Sequence, residues 1–156
     1  MKIIVIFYSR SGTTKKMAEI ICEELKNNNS EADLYDVAEV RPEQLLEYDG
    51  IIIGSPTYYG TLSCQIKELL DKTVTFHGKL DGKVGGAFSS AANLAGGNET
   101  TILSILEAML IHGMTIQGDP KGDHYGPVAV NSVDQRCEDN CRRFARRFIS
   151  LVKRLI

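Results

Sequence analysis

The chain has 156 residues, of which 43% are apolar and 24% are charged, which predicts one globular domain over residues 1–156 and disfavours two. Lys and Arg number 18 against 20 Asp and Glu, and the net charge of −2 gives no general attraction to nucleic acid or to an anionic membrane. The longest apolar run near the N-terminus, Ile3 to Tyr8, is too short for a signal-peptide core or a membrane span, so we expect a cytoplasmic protein.

Apolar runs of strand length alternate with helical periods along the chain, the pattern that βαβ units produce. The predicted strands are Lys2 to Tyr8, Asp33 to Val37, Gly50 to Gly54, Lys83 to Ser89 and Met114 to Gln117. The predicted helical segments include Met17 to Leu25, Pro42 to Tyr48, Ile66 to Leu70, Ile102 to Leu110 and Asp134 to Leu155. This order predicts an α/β protein with a doubly wound, five-stranded parallel sheet and helices on both faces. Ligands of such sheets bind beyond the carboxyl ends of the strands.

The closing helix carries cysteines and arginines that allow alternative interpretations. Cys137 and Cys141 lie in register with Phe144 and Phe148 at helical spacing, which indicates small core residues, whereas a redox pair or half of a metal site is the alternative. The four cysteines of the chain lack the spacing of a zinc site, so no metal is expected. A solvated face and a docking patch for an acidic partner are the two interpretations of Arg142, Arg143, Arg146 and Arg147.

The loop between the first strand and the first helix predicts a phosphate site. Its sequence, SRSGTT, comprises Ser9, Arg10, Ser11, Gly12, Thr13 and Thr14. Four hydroxyls and the free amides of a helix N-terminus are able to surround a phosphate, and Gly12 permits a close approach. Ordinary helix capping by one hydroxyl is the alternative. The loop lacks the glycine motifs of P-loop and dinucleotide folds, which disfavours a nucleoside triphosphate or NAD at this position.

The loop after the third strand predicts a surface for a planar ring system. Its candidate residues are Pro56, Thr57, Tyr58, Tyr59 and Gly60. Two consecutive tyrosines offer flat apolar faces at the edge where a sheet of this type opens its crevice. One of the two could instead fold back into the core, and the sequence does not say which.

The loop after the fourth strand is rich in small residues, which lets backbone amides approach the polar edge of a ligand ring. Its candidate residues are Ser89, Ser90, Ala91, Ala92, Asn93, Ala95, Gly96 and Gly97. Asn98 or Thr100 is expected to cap the next helix. A flexible connection without a ligand is the alternative.

Together the three loops resemble the flavin mononucleotide (FMN) site of the flavodoxin superfamily. SRSGTT resembles its phosphate loop. GSPTYYG, AFSS, GGNETTI, the HGM of His112 to Met114 and the HYG of His124 to Gly126 resemble the branch of tryptophan-repressor-binding-protein-like NAD(P)H:quinone oxidoreductases. These motifs occur in the same order as in that branch, between Lys2 and about Val130.

The resemblance implies a sheet of order 2-1-3-4-5, FMN as cofactor, and frequent homo-oligomers. It also implies that two electrons pass from NAD(P)H to a quinone-like acceptor. Two features differ from the branch. The segment from Val37 to Asp49 is short where quinone reductases carry an insertion, and the loop after the fourth strand lacks the aromatic that covers the flavin in many short flavodoxins. The second difference predicts one open ring face, which suits an NAD(P)H or quinone ring.

Three further residues are candidates for the substrate opening. The resemblance singles out His112, at the end of the fourth helical segment, where a favourable contact with the helix C-terminus is the alternative role. His124 and Tyr125, on the loop after the fifth strand, would line the same opening, whereas a solvated histidine is the alternative for that loop.

The main alternative function is a flavodoxin that carries single electrons between redox partner proteins. Such carriers tend to be strongly acidic, which helps docking and disfavours the fully reduced flavin anion. A net charge of −2 supplies little of either effect, so the charge balance favours the enzyme. A flavin-binding regulator without turnover is compatible with the same sequence.

Overall fold

The computed structural model describes residues 1–156 and contains a parallel sheet between two layers of helices. Its strands are β1 (Lys2–Phe7), β2 (Glu31–Asp36), β3 (Gly50–Pro56), β4 (Val84–Ala91), β5 (Thr115–Ile116) and β6 (Val128–Val130). Its α-helices are α1 (Thr13–Asn27), α2 (Cys64–Lys72), α3 (Asn98–Ile111) and α4 (Gln135–Leu155). Short 3-10 helices cover Val37–Glu39, Pro42–Glu47 and Thr73–Phe76. The strand order β2-β1-β3-β4-β5 and the parallel pairing confirm the predicted fold.

The apolar runs form central strands because both faces of the sheet are covered. Along β1, Ile3 and Val5 face a core shared with α1 and α4, whereas Ile4 and Ile6 face a second core shared with α2 and α3. Successive strand side chains point to opposite faces, so a strand buried on both sides must be apolar at every position. None of the helices is both long and apolar enough to span a membrane.

At the edge of the sheet beside β4, the structure has two short strands where the sequence predicts one. Thr115 pairs with Val84 at the start of β4, whereas Val128 pairs with Ser89 near its end. Because β3 occupies the other side of β4, both short strands share one edge, and the loop of residues 117–127 interrupts them. The expected strand Met114 to Gln117 is therefore shorter than predicted, and β6 was not predicted at all.

Glycines in the central strands make room for aromatic rings. An ideal Cβ on Gly54 would overlap the ring of Phe88, its partner on β4. An ideal Cβ on Gly86 would lie 2.7 Å from Cζ of Phe144. Real Cβ atoms do not approach other atoms this closely, so these positions accept no side chain unless the rings move. The rings of Phe88 and Phe144 therefore fill the core space over β3 and β4.

Helix α4 buries both of its cysteines, as predicted. Cys137 and Cys141 are fully buried in the core that α4 shares with α1. The hydrogen bond with Cys137 and the burial of the side chain raise the pKa of the Cys141 thiol, which keeps it protonated and unreactive. These properties fit core residues rather than a redox pair.

Replacing both cysteines by alanine is expected to lower the free energy of unfolding by about 2 kcal/mol, because two buried sulfurs leave space behind. FMN binding and flavin reduction should stay at the level of the unmodified protein. Denaturant unfolding and flavin absorption check the two halves of this prediction. Loss of flavin reduction in the folded variant would restore the redox interpretation.

The arginines of α4 bind acidic residues of the same chain rather than forming a free patch. Arg142 and Arg146 contact Glu24 of α1 at 3.2 and 2.8 Å. Arg143 makes two hydrogen bonds to Asp119, and this pairing holds the pKa of Asp119 well below its usual range. The two ion-pair groups connect α4 to α1 and to the loop of residues 117–127. This pairing within the chain favours a solvated face over a docking patch for an acidic partner.

Candidate functional site

The loops that follow β1, β3 and β4 meet in one cleft at the carboxyl edge of the sheet. The cleft has a volume of about 210 Å³. Its walls are formed by Arg10, Ser11, Thr13, Thr14, Pro56, Thr57, Tyr58, Ser90, Ala91, Ala92 and Asn131. Strands that run parallel end at the same edge, which is why loops distant in sequence share this site.

The first loop leaves the start of α1 without a side-chain cap. Gly12 occupies the cap position with φ of 97°, a left-handed conformation that favours glycine, and no side chain bonds to the first turn. The Ser9 hydroxyl accepts a hydrogen bond from the Gly12 amide at 3.1 Å and so shapes the loop instead. The alternative of ordinary helix capping is therefore not observed. Unpaired amides at a helix N-terminus form a favourable position for an anion.

The hydroxyls of this loop have different partners. Thr14 is buried, and its Oγ1 lies 2.9 Å from Oγ of Ser90, which ties the loop to the end of β4. Thr13 donates to the carbonyl of Asn131 at 3.3 Å. The Ser11 side chain is exposed at the cleft. Ser11 and Thr13 are thus available to a ligand, and Thr14, which also lines the cleft, supports the loop through Ser90.

The second loop separates the two tyrosines. Tyr58 and Thr61 exchange backbone hydrogen bonds of 2.9 and 3.2 Å around a two-residue turn with φ of 49° at Tyr59 and 79° at Gly60. Positive φ at both central residues is typical of a type I′ turn. The Tyr58 ring lines the cleft and lies edge-on to Tyr8 with centroids 6.5 Å apart, and burial raises the pKa of its hydroxyl. Tyr59 is fully exposed at the tip.

Hydroxyl contacts fix the second loop to the start of α3. Oγ1 of Thr57 lies 3.0 Å from Oγ of Ser89 and accepts a hydrogen bond of 2.9 Å from Thr101. The Thr100 hydroxyl donates to the carbonyl of Gly60. The position of the second loop therefore depends on side chains from β4 and α3. Such a framework keeps the cleft in shape before a ligand binds.

The third loop contributes less to the cleft wall than predicted. Ser90, Ala91 and Ala92 line the cleft, whereas the residues farther along the loop lie outside its lining; these are Asn93, Ala95, Gly96 and Gly97. Ser89 lies beneath the cleft and contacts Thr57. Most of the loop is exposed, and its tip carries Leu94, which is 86% exposed.

The predicted cap of α3 needs correction. Gly97, with φ of 102°, holds the cap position, and no side chain caps the helix. An ideal Cβ on Gly97 would lie 2.9 Å from the Cα of Gly60, so only glycine allows the two loops to touch there. The buried Asn98 side chain instead donates to the carbonyl of Ala129 at 3.0 Å. Asn98 thereby connects α3 with β6.

Asn131 is a cleft residue that the sequence analysis missed. It follows β6, adopts φ of 65°, and its amide donates to the carbonyl of Ala91 at 2.7 Å. Its carbonyl accepts from Thr13, so it joins the first loop to the end of β4. Asparagine tolerates this backbone conformation better than most residues. The sequence contains one signal for this residue, an asparagine directly after the apolar triplet VAV. That signal predicts a cleft residue only when the triplet is known to be strand β6.

The charge of the cleft lining is small and positive. Arg10 is the one charged residue that lines it, and Arg10 forms no salt bridge within the chain. No carboxylate lines the cleft itself, and the carboxylates of Asp36 and Glu39 lie in an adjoining pocket that shares Arg10 and Ser11 with it. A ligand that gains negative charge here meets polar hydroxyls, amides and one guanidinium.

The three candidates for the substrate opening do not line this cleft. His112 ends α3, and its neighbour Gly113 accepts a hydrogen bond from Gly82, which precedes β4, so both lie at the amino edge of the sheet. The expectation for His112 is corrected, because a helix that connects parallel strands runs back to the edge opposite the ligand loops. His124 and Tyr125 border a small pocket of about 20 Å³ between the loop of residues 117–127 and α4.

The cleft fits the two chemical parts of FMN. The uncapped start of α1, with free hydroxyls and amides around Gly12, suits its phosphate. The aromatic face of Tyr58 and the uncharged end of β4 border space for its ring system.

Comparisons with known proteins give the same assignment. A family model described as a flavodoxin domain matches residues 4–100. A flavodoxin from Clostridium saccharobutylicum is 35% identical over 99% of both chains, and an NAD(P)H dehydrogenase (quinone) from Chromohalobacter salexigens is 34% identical over 86% of this chain and 77% of its own. The structure of an archaeal flavodoxin has a TM-score of 0.83 and 28% identity, covering 98% and 99% of the two chains.

The fold and the cleft define an α/β protein with a cleft at the carboxyl edge of a sheet of order 2-1-3-4-5. The chain belongs to the flavodoxin family, and the resemblance drawn from its three loops is confirmed. FMN is the cofactor of this family. The structure of a flavodoxin described as a WrbA-like protein, from Agrobacterium tumefaciens, shares the fold. Its TM-score is 0.84 at 24% identity over 99% of both chains.

Proposed function

We propose that the protein is an FMN-dependent oxidoreductase that takes two electrons from NAD(P)H and passes them to a quinone-like acceptor. The observation that carries the proposal is the charge of the cleft lining, which has one arginine and no carboxylate. A fully reduced flavin bears negative charge, and nearby carboxylates would raise its energy. A lining without them favours complete two-electron reduction over a one-electron stage.

The cleft residues have separable roles in this proposal. Bound FMN supplies the two-electron chemistry, and the protein holds and orients it. The amides at the start of α1, with Ser11 and Thr13, would hold the phosphate. Tyr58 would form one wall beside the ring, and the exposed Tyr59 is free to stack on the ring or on the acceptor. Backbone amides at the end of β4 would donate to the polar edge of the ring.

The relatives named NAD(P)H dehydrogenase (quinone) support the proposal, and they come from several organisms. Besides the Chromohalobacter protein, one from Rhizobium rhizogenes is 36% identical over 76% of this chain. The open rim of the cleft adds support, because a nicotinamide or quinone ring must reach the flavin face. The residues that follow Ala91 are mostly small, and no aromatic is among them.

A one-electron carrier is the second candidate, and chain length favours it. The Clostridium protein named flavodoxin matches this chain over 99% of both sequences, whereas the chain covers 77% of the Chromohalobacter quinone dehydrogenase. In this role the partners would be redox proteins instead of small molecules. The unpaired Arg10 would then contact an acidic partner at the cleft.

An anaerobic titration of the FMN-loaded protein with NADH and with NADPH distinguishes the two functions. For the oxidoreductase we expect rapid bleaching of the flavin absorption by one of the nucleotides, with one nucleotide consumed per flavin. Addition of a benzoquinone should then restore the absorption. If neither nucleotide bleaches the flavin and chemical reduction passes through a stable one-electron stage, the carrier is the correct function.

A further inference from the structure

A second groove lies between α2 and α3, away from the flavin cleft. Its volume is about 560 Å³, and it is lined by residues of both α-helices and by Thr73 and Val74 of the 3-10 helix Thr73–Phe76. Leu70, Val74 and Ile111 supply apolar walls, and Val74 and Ile111 are 73% and 70% exposed. A volume of this size accommodates a small organic molecule.

His112 borders this groove and has a defined tautomer. The Thr73 hydroxyl donates its single hydrogen to the carbonyl of Leu70 at 2.6 Å. The same oxygen lies 2.7 Å from Nε2 of His112, so it must accept a hydrogen bond from that nitrogen. Nε2 therefore carries the proton, and Nδ1 has a free lone pair.

Nδ1 of His112 is buried and has no hydrogen-bond donor within the chain. The His112 side chain as a whole is 7% exposed. An unsatisfied buried acceptor costs free energy, and a donor that reached it would recover that cost. The orphaned nitrogen is thus the one polar feature of the groove that requires a partner.

Two aromatic rings pack beside the His112 ring. The ring of Phe76 is stacked on His112 with centroids 6.2 Å apart, and the ring of His77 is 5.6 Å away. His77 is exposed and lies beside His112, so its side chain is the group that would have to rotate for a ligand to reach Nδ1. Burial and the neighbouring His77 lower the pKa of His112, which keeps Nδ1 unprotonated at neutral pH.

We propose that the α2–α3 groove is a second binding site, for a small neutral aromatic molecule that carries a hydroxyl or N–H donor. The aromatic part would pack on the apolar walls and the imidazole rings, and the donor would bond to Nδ1 of His112. A neutral ligand fits because Lys67 and Asp71, the opposite charges on the α2 side, already pair at 2.6 Å, and the exposed Glu107 on the α3 side disfavours an anion. The site is separate from the proposed oxidoreductase activity.

Phenol and toluene are matched probes, because the two rings have similar shape and only phenol has a donor. Each is titrated into the 15N-labelled, FMN-loaded protein, and amide shifts are followed by NMR. We expect phenol to shift residues 70–77 and 104–112, and its affinity relative to toluene to fall about tenfold in His112→Phe. The variant His124→Phe alters an exposed histidine outside the groove and should leave the ratio unchanged.

Acidification supplies a test that needs no variant at His112. Protonation of Nδ1 converts the acceptor into a donor, so the phenol affinity should fall once the pH is taken well below 6.5, because the pKa of His112 is lowered, while the toluene affinity stays constant. His77, Asp71, Lys67 and Glu107 also border the groove, and repeating the titration in His77→Asn separates the contribution of His77.

Three results would overturn the proposal. One is an equal pH response for phenol and toluene. Another is a set of shifts confined to the flavin cleft. A third is a dependence of the groove signals on protein concentration in the absence of a probe, which would assign the groove to a second copy of the chain. The location of the shifts does not depend on flavin reduction, so failure here leaves the proposed function intact.

Discussion

The variant Gly54→Ala is expected to lower the free energy of unfolding by about 3 kcal/mol. The added methyl group would overlap the ring of Phe88, which lies across Gly54 on the neighbouring strand. That ring is fully buried and packed against the α1 and α4 side of the sheet, so it has no free space into which to move. Urea unfolding of the FMN-free protein, followed by circular dichroism, measures the change.

A second variant shows whether the ring is the cause. In Gly54→Ala combined with Phe88→Leu, the smaller side chain leaves room for the methyl group, so the two losses should be less than additive. If the two losses of unfolding free energy were strictly additive, the alanine would act through the backbone and not through the Phe88 ring. Gly54 also directly precedes the Ser55–Thr61 loop, and we therefore expect FMN affinity to fall in the single variant and to recover in part in the double variant.

The central part of the fold was predictable because burial on both faces leaves a strong signal in the sequence. The runs around Ile4, Ile52 and Ala87 are apolar at nearly every position and lie in the middle of the sheet. The edge of the sheet gave no comparable signal. β6 has three residues, follows a polar loop, and is defined by its pairing with Ser89 to Ala91, which local sequence does not encode.

The position of the cleft was predictable for a topological reason, whereas its details were not. Parallel strands end at one edge, so the loops containing Ser11, Thr57 and Ser90 had to meet. The same rule places the end of α3 at the opposite edge, which is why His112 is far from the cleft. Tyr58 lines the cleft and Tyr59 is exposed because the turn has a positive φ at Tyr59. Residue type alone does not predict a positive φ at a tyrosine.

Replacing Ser11 and Thr13 together by alanine is expected to weaken FMN binding by about 3 kcal/mol, roughly a hundredfold in Kd. Each hydroxyl would donate a hydrogen bond to the phosphate, and bonds to a charged group contribute more than neutral ones. Ser11 is exposed at the cleft, and Thr13 donates only a long bond of 3.3 Å to the Asn131 carbonyl, so both are able to turn towards a ligand. Thr14 is left unchanged because its contact with Ser90 supports the loop.

Riboflavin, which lacks the phosphate, is the decisive control for this double variant. Its affinity should be the same in both proteins, because neither substitution changes Tyr58 or the end of β4, where the ring would bind. Calorimetry with FMN and riboflavin therefore separates phosphate recognition from a general disturbance of the cleft. A double variant of two exposed hydroxyls away from the cleft, Thr75→Ala with Ser150→Ala, should bind both ligands normally. Equal losses for FMN and riboflavin would show that the hydroxyls shape the cleft instead of binding the phosphate.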